Sequence, residues 1–180
     1  LWDLITLEGC FEGSEKWDLA WHETAWGPQL EAFSLEQADE VGSLLFGRVT
    51  YDGMAAHWSK AKGAIADFMN GVDKVVFSST LAEPRWENTR LVRSGAVDEV
   101  RRLKGEGGDG DLFVFGSADL SSSLLDAGVV DELRLGLVPV VLGNGTPFFK
   151  RRQPPFDLEH IETRQLGSRC TLLRYRPVAG

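Results

Sequence analysis

Three short segments join an apolar run to a turn of residues that suit a phosphate. They are Leu44-Leu45-Phe46-Gly47-Arg48-Val49-Thr50, Val75-Val76-Phe77-Ser78-Ser79-Thr80 and Phe113-Val114-Phe115-Gly116-Ser117-Ala118. In each turn small residues let backbone N–H groups approach an anion, and hydroxyls add donors. Gly47 lets the chain turn beside a ligand, Arg48 brings a planar fork of donors matched to phosphate oxygens, and Thr50 adds a hydroxyl. These residues also read as a plain helix N-terminus with an exposed arginine. Ser78, Ser79 and Thr80 place three hydroxyls and no carboxylate where an NAD site usually carries an acid, which favours a ribose 2′-phosphate and hence NADPH. They also read as an ordinary hydroxyl-rich turn. Gly116, Ser117 and Ala118 open a helix, and a small-residue turn there is either an anion site or tight strand-to-helix packing.

Other candidate groups lie near the start of the chain. Thr6-Leu7-Glu8-Gly9 ends the first strand, and Glu8 is the candidate proton relay or substrate-orienting carboxylate. Trp17, Trp21 and Trp26 can stack on a flat heterocycle or plug one end of a sheet. His22, in the same stretch, is a candidate proton donor or a solvated loop histidine. The three histidines, His22, His57 and His160, lack ligand spacing, and no metal site is expected. Gly105-Glu106-Gly107-Gly108-Asp109-Gly110 fits G-x-G-x-x-G in letters only. It follows a helix and precedes a strand, the reverse of the required order, and Glu106, Asp109 and Asp111 would repel phosphate. No nucleophile motif of the G-x-S-x-G or Walker type is present.

The elements that must position these groups follow from apolar spacing and breakers. Strands are expected at residues 1–7, 43–46, 74–77, 89–92, 112–115, 132–142, 156–166 and 170–176. Residues 8–27 read as one long aromatic loop, and Pro28 opens a helix. Helices are expected at 50–57 and 64–70, around Val97, Val100 and Leu103, and from Leu120 to a stop at Gly128. Pro139 inside the run at 132–142 suggests a bulge or an edge. Strands alternating with helices and followed by a β-rich tail predict an α/β fold with a mostly parallel sheet and antiparallel C-terminal strands.

With 180 residues and 43% apolar content, the chain suits a single domain over residues 1–180 with one core. The 19 basic and 27 acidic residues give a net charge of −8, which argues against a nucleic-acid partner. No apolar run reaches the roughly 20 residues of a membrane helix. Cys10 and Cys170 read as reduced thiols, and a cytoplasmic protein is expected. The strand edges of the tail predict a homodimer.

The order of Gly47-Arg48-Val49-Thr50, Val75 to Thr80 and Phe115-Gly116-Ser117 resembles dihydrofolate reductase-like proteins. Thr6-Leu7-Glu8-Gly9, Val130-Asp131-Glu132-Leu133 and Pro139-Val140-Val141-Leu142-Gly143-Asn144-Gly145 resemble the reductase domain of riboflavin biosynthesis and its stand-alone bacterial relatives. The resemblance covers nearly the whole chain. It implies a three-layer α/β/α fold with a mixed sheet, and NADPH as hydride donor. It assigns Arg48, Thr50, Ser78, Ser79 and Gly116 to Ala118 to the cofactor, with Gly143, Asn144 and Gly145 near the nicotinamide and substrate. Glu8 stands where the family usually has Asp, and no zinc-deaminase signature accompanies the domain. The expected activity is reduction of a small heterocyclic or carbonyl substrate, with Thr6, Trp17, Trp21 and His22 facing it. The alternative is a non-catalytic module that binds NADPH.

Overall fold

The apolar runs that precede the three turns pair side by side. A computed structural model describes residues 1–150 and 155–178. In chain order the strands and helices are β1 (Trp2–Thr6), β2 (Cys10–Glu12), α1 (Pro28–Ala38), β3 (Val41–Gly47), α2 (Arg48–Trp58), α3 (Ala64–Gly71), β4 (Asp73–Phe77) and β5 (Thr89–Val92). They continue with α4 (Ala96–Glu106), β6 (Asp111–Val114), α5 (Ala118–Asp126), β7 (Leu133–Val138), β8 (Thr146–Pro147), β9 (Leu158–Gln165) and β10 (Thr171–Pro177).

Strands β5, β4, β3 and β6 lie in that order and run parallel. Their side chains alternate between two apolar layers, as parallel strands covered on both faces require. Leu44, Phe46, Val76 and Phe113 pack with Tyr51 of α2 and Met69 of α3. Leu45, Val75 and Val114 pack on the opposite face with Val100 of α4 and Leu120 and Leu124 of α5. A second group has the order β1, β7, β10, β9, with β1 parallel to β7 and the last two pairings antiparallel. Leu4, Phe33 of α1, Val138 and Leu172 fill one of its faces. Ile5, Leu133, Leu135 and Phe148 fill the other. The two groups meet at one parallel bridge, Trp2 to Phe115, where the Gly116 N–H donates to the Trp2 carbonyl at 3.3 Å. The result is the expected mixed sheet between helical layers.

Two expectations are corrected. The loop at 8–27 is interrupted by β2, which pairs antiparallel with β8, and by a 3-10 helix at Ala20–Thr24. The strand expected at 132–142 ends at Val138, because Pro139 has no N–H to continue a ladder. Among the described residues, no helix is long and apolar enough to cross a membrane. Cys10 and Cys170 are free and buried.

A buried lysine locks α3 to the sheet. The Lys74 Nζ donates to the carbonyls of Met69 at 2.9 Å, Asn70 at 3.2 Å and Val72 at 2.6 Å, and lies 4.7 Å from the Trp86 ring centroid. Carbonyls at a helix end lack partners within the helix, and this ammonium supplies one proton to each. Burial lowers its pKa to about 8. In Lys74→Met these carbonyls lose the ammonium, and only Asn70 keeps another side-chain donor, Asn88 Nδ2. The expected loss is about 1–3 kcal/mol of stability, read from the urea unfolding midpoint.

Candidate active site

The turns after β3 and β6 are tied together before any ligand is considered. The Gly47 N–H donates to Ser117 Oγ at 2.9 Å, and the Ser117 N–H donates to Thr50 Oγ1 at 3.1 Å. The Ser117 hydroxyl in turn donates to the Phe115 carbonyl at 3.1 Å. Ser117 holds a left-handed backbone with φ of 53°, directly after Gly116 at 55°. Such a conformation costs a non-glycine residue on the order of 1 kcal/mol, and these three bonds hold it in place. α2 and α5 start from this knot, and neither has a side-chain cap. The first turn of α2 holds no acid, and Asp119 in the first turn of α5 is paired with Lys150. Two helix N-termini thus present first-turn N–H groups, an arrangement suited to a pyrophosphate.

A cavity of about 860 Å³ runs from this cradle across the junction of β6 and β1 to the aromatic segment. A Cβ on Gly116 would stand 3.5 Å from Thr50 Cγ2 and 3.8 Å from Asp3 Oδ2, so this glycine lies between the cradle and the deep end. Trp17 walls the outer part. Its ring lies against Gly53 of α2, where a Cβ would come within 2.3–2.5 Å of ring atoms. Its N–H donates to Glu12 Oε2 at 3.0 Å. Only glycine at position 53 lets the ring rest there.

Burial disfavours the charged form of two titratable groups in the cavity. Asp3 is 8% exposed, and its Oδ2 has no hydrogen-bond partner. Burial raises its pKa well above the ordinary value of an aspartate, opposed by a backbone hydrogen bond at Leu4 and reinforced by the Glu12 charge. His22 Nε2 is likewise buried without a partner, and burial lowers the ring's pKa to about 4. Sequence reading missed Asp3. Its signal was one carboxylate among Trp2, Leu4 and Ile5 in the first strand, where an ordinary acid would be excluded.

The expected site residues divide into those the cavity gathers and those it does not. Gly47, Arg48, Thr50, Gly116, Ser117, Ala118, Trp17 and His22 line it. Ser78, Ser79 and Thr80 do not; Ser78 Oγ instead accepts the N–H groups of Thr80 and Leu81. Thr80 reaches the edge of the site through its hydroxyl, which accepts from Arg48 Nη1 at 2.6 Å. Asp52 lies 3.3 Å from Arg48 Nε, so a carboxylate does stand beside the expected phosphate arginine.

Glu8 points elsewhere. Its carboxylate accepts the Leu142 and Gly143 N–H groups, both at 3.0 Å, and is committed to that turn. Gly143, Asn144 and Gly145 belong to this turn and do not line the cavity; Gly145 packs against Cys10 and Glu12. Thr6 is fully buried, with its Oγ1 accepting the Cys10 N–H. Trp21 lies in the core beneath α1.

The state of His22 has a measurable consequence. Between about pH 4 and 6.5 the unfolded chain binds a proton at this residue that the folded protein excludes. His22 therefore makes stability rise with pH across that window. His22→Gln removes this dependence. Relative to the parent, the variant should gain up to about 3 kcal/mol as pH falls through the window. Urea unfolding of both proteins at several pH values measures it.

Comparison with known proteins agrees with the fold. An uncharacterized protein of Bacillus subtilis, YyaP, is 28% identical over 143 residues, covering 76% of this chain and 74% of that protein. The crystal structure of a putative riboflavin biosynthesis protein from Shewanella sp. PV-4 superposes with a TM-score of 0.82 at 18% identity, covering 99% of this chain and 97% of that one. A dihydrofolate reductase from Enterococcus faecalis, solved in complex with NADP(H), superposes with a TM-score of 0.63 at 13% identity, covering 98% and 94%. The family profile described as the RibD C-terminal domain matches residues 11–172, and this chain belongs to that family.

Proposed function

We propose that this protein is an NADPH-dependent reductase acting on a small, flat heterocyclic or carbonyl-bearing substrate. The observation that carries the reading is the knot of Gly47, Thr50 and Ser117. It aims two uncapped helix N-termini into a cavity with a buried carboxyl, one oxygen of it unpartnered, at its far end. The similarity to a dihydrofolate reductase solved with NADP(H) supports it.

The residues present fit the dinucleotide. The first turns of α2 and α5 would hold the pyrophosphate. Arg48, oriented by Thr80, would take the 2′-phosphate, with Asp52 steadying the guanidinium from the other side. When bound, NADPH supplies the hydride. The rest of the task falls to the chain: Trp17 and Trp26 wall the substrate region, and Leu4 and Leu30 exclude water from it. An uncharged ring system suits these apolar walls better than a highly charged one.

Calorimetric titration with NADPH and NADH tests the reading. NADPH should bind at least about tenfold more tightly than NADH. Arg48→Ala should weaken NADPH roughly ten- to a hundredfold and leave NADH little changed, the loss of one charge-assisted contact. Absence of binding by either nucleotide would refute the proposal.

A further inference from the structure

Asp3 is a buried carboxyl of the cavity that the protein satisfies only in part, through a backbone hydrogen bond at Leu4. One oxygen has no hydrogen-bond partner, and the side chain adjoins Gly116, the residue that opens the passage from the phosphate cradle. A structural aspartate of this burial would be paired or fully hydrogen-bonded, because an unmatched buried polar group costs about 1–3 kcal/mol. We propose that Asp3 is the proton donor of the site and that its ionisation is coupled to the charge of the ligand in the cavity. The inference rests on the NADPH reading above.

The chemistry balances. Reduction of a C=O or C=N bond forms a carbon–hydrogen bond with the hydride and an oxygen– or nitrogen–hydrogen bond with a proton. The Asp3 O–H bond breaks, its proton goes to the substrate heteroatom, and its electron pair stays on the carboxylate. Loss of hydride leaves the nicotinamide with one positive charge. A carboxylate is intolerable in the empty apolar site, but it is stabilised beside a cation. The cavity thus passes from two neutral partners to an ion pair, with no net change in buried charge. Burial favours the protonated form of Asp3.

No other group around Asp3 fills this role. Glu12 on β2 is engaged by the Trp17 N–H, and Arg48 on α2 by Thr80 and Asp52. Asp119 on α5 pairs with Lys150. Arg134 on β7 is bound by Glu132 and Glu40. Lys16 lines the mouth and is exposed. His22 carries no proton on its orphaned Nε2, since its ring is neutral and bonds through the other nitrogen to the Phe11 backbone. It suits the complementary task of accepting a hydrogen bond from a substrate N–H or O–H.

The test needs no substrate. NADP⁺ and NADPH are titrated into the protein in buffers of different protonation heat, from about pH 5 to pH 8. Binding of NADP⁺ should release up to about one proton per site, and NADPH should release none. Asp3→Asn, which keeps the shape and carries no titratable proton, should bind both nucleotides and release none with either. Binding of NADP⁺ without proton release at any pH overturns the proposal, as does a release that persists in Asp3→Asn. Absence of binding by either nucleotide overturns the cofactor reading beneath it, a separate and recognisable result.

Discussion

The Ser117 hydroxyl stands between two strands and two helices, and the site takes its shape from that position. It accepts from Gly47 at the end of β3 and donates to Phe115 at the end of β6, while its own amide reaches Thr50 in α2. Without these bonds the two helix N-termini would have no reason to converge. The same short segment carries Gly116, whose amide bonds to Trp2 of the other half-sheet. One serine in an unfavourable backbone conformation therefore sets the cradle and, through its neighbour, the position of β1 and Asp3. Local strain of this kind persists where the surroundings over-determine it.

The site is electrically lopsided. Its outer end is positive, with Arg48 and two helix N-termini. Toward its inner end burial disfavours the charged forms of both Asp3 and His22, which leaves less charge there than at the outer end. A ligand with a polyanionic tail and an uncharged head is oriented by this gradient before any specific contact forms. The protein as a whole carries a net charge of −8, so the positive end is a local departure from an acidic surface.

Much of the fold was legible because strand, turn and helix are adjacent in sequence. Leu44 to Thr50 and Phe113 to Ala118 announce their strands and the turns after them without help from the rest of the chain. The junction between the half-sheets is not local, and no pattern in residues 1–7 says that Trp2 will bridge Phe115. The expected site residues that the cavity does not gather differ in direction. Glu8 and Ser78 are of the right types at the right strand ends, but each turns its oxygen onto nearby backbone amides. A backbone donor a few ångströms away competes with any ligand, and sequence does not reveal its orientation. Asp3 was passed over for the converse reason. One of its oxygens lacks a partner, and such a lack becomes visible only once the surroundings are placed.

The bridge between Trp2 and Phe115 divides labour as well as joining sheets. The residues proposed to hold phosphate, from Gly47 to Ser117, stand on the half built from β3 to β6 and their helices. Asp3, Leu4, Leu30 and the aromatic segment stand on the other. The seam between the strands is narrow, and the halves also meet where Trp17 rests on Gly53 and where Asp3 adjoins Gly116, so they diversify separately only away from these contacts. Substitutions in the first forty residues can remould the reception of one molecule without disturbing the grip on the other. A scaffold of this kind can change its trade by inheritance of half a sheet.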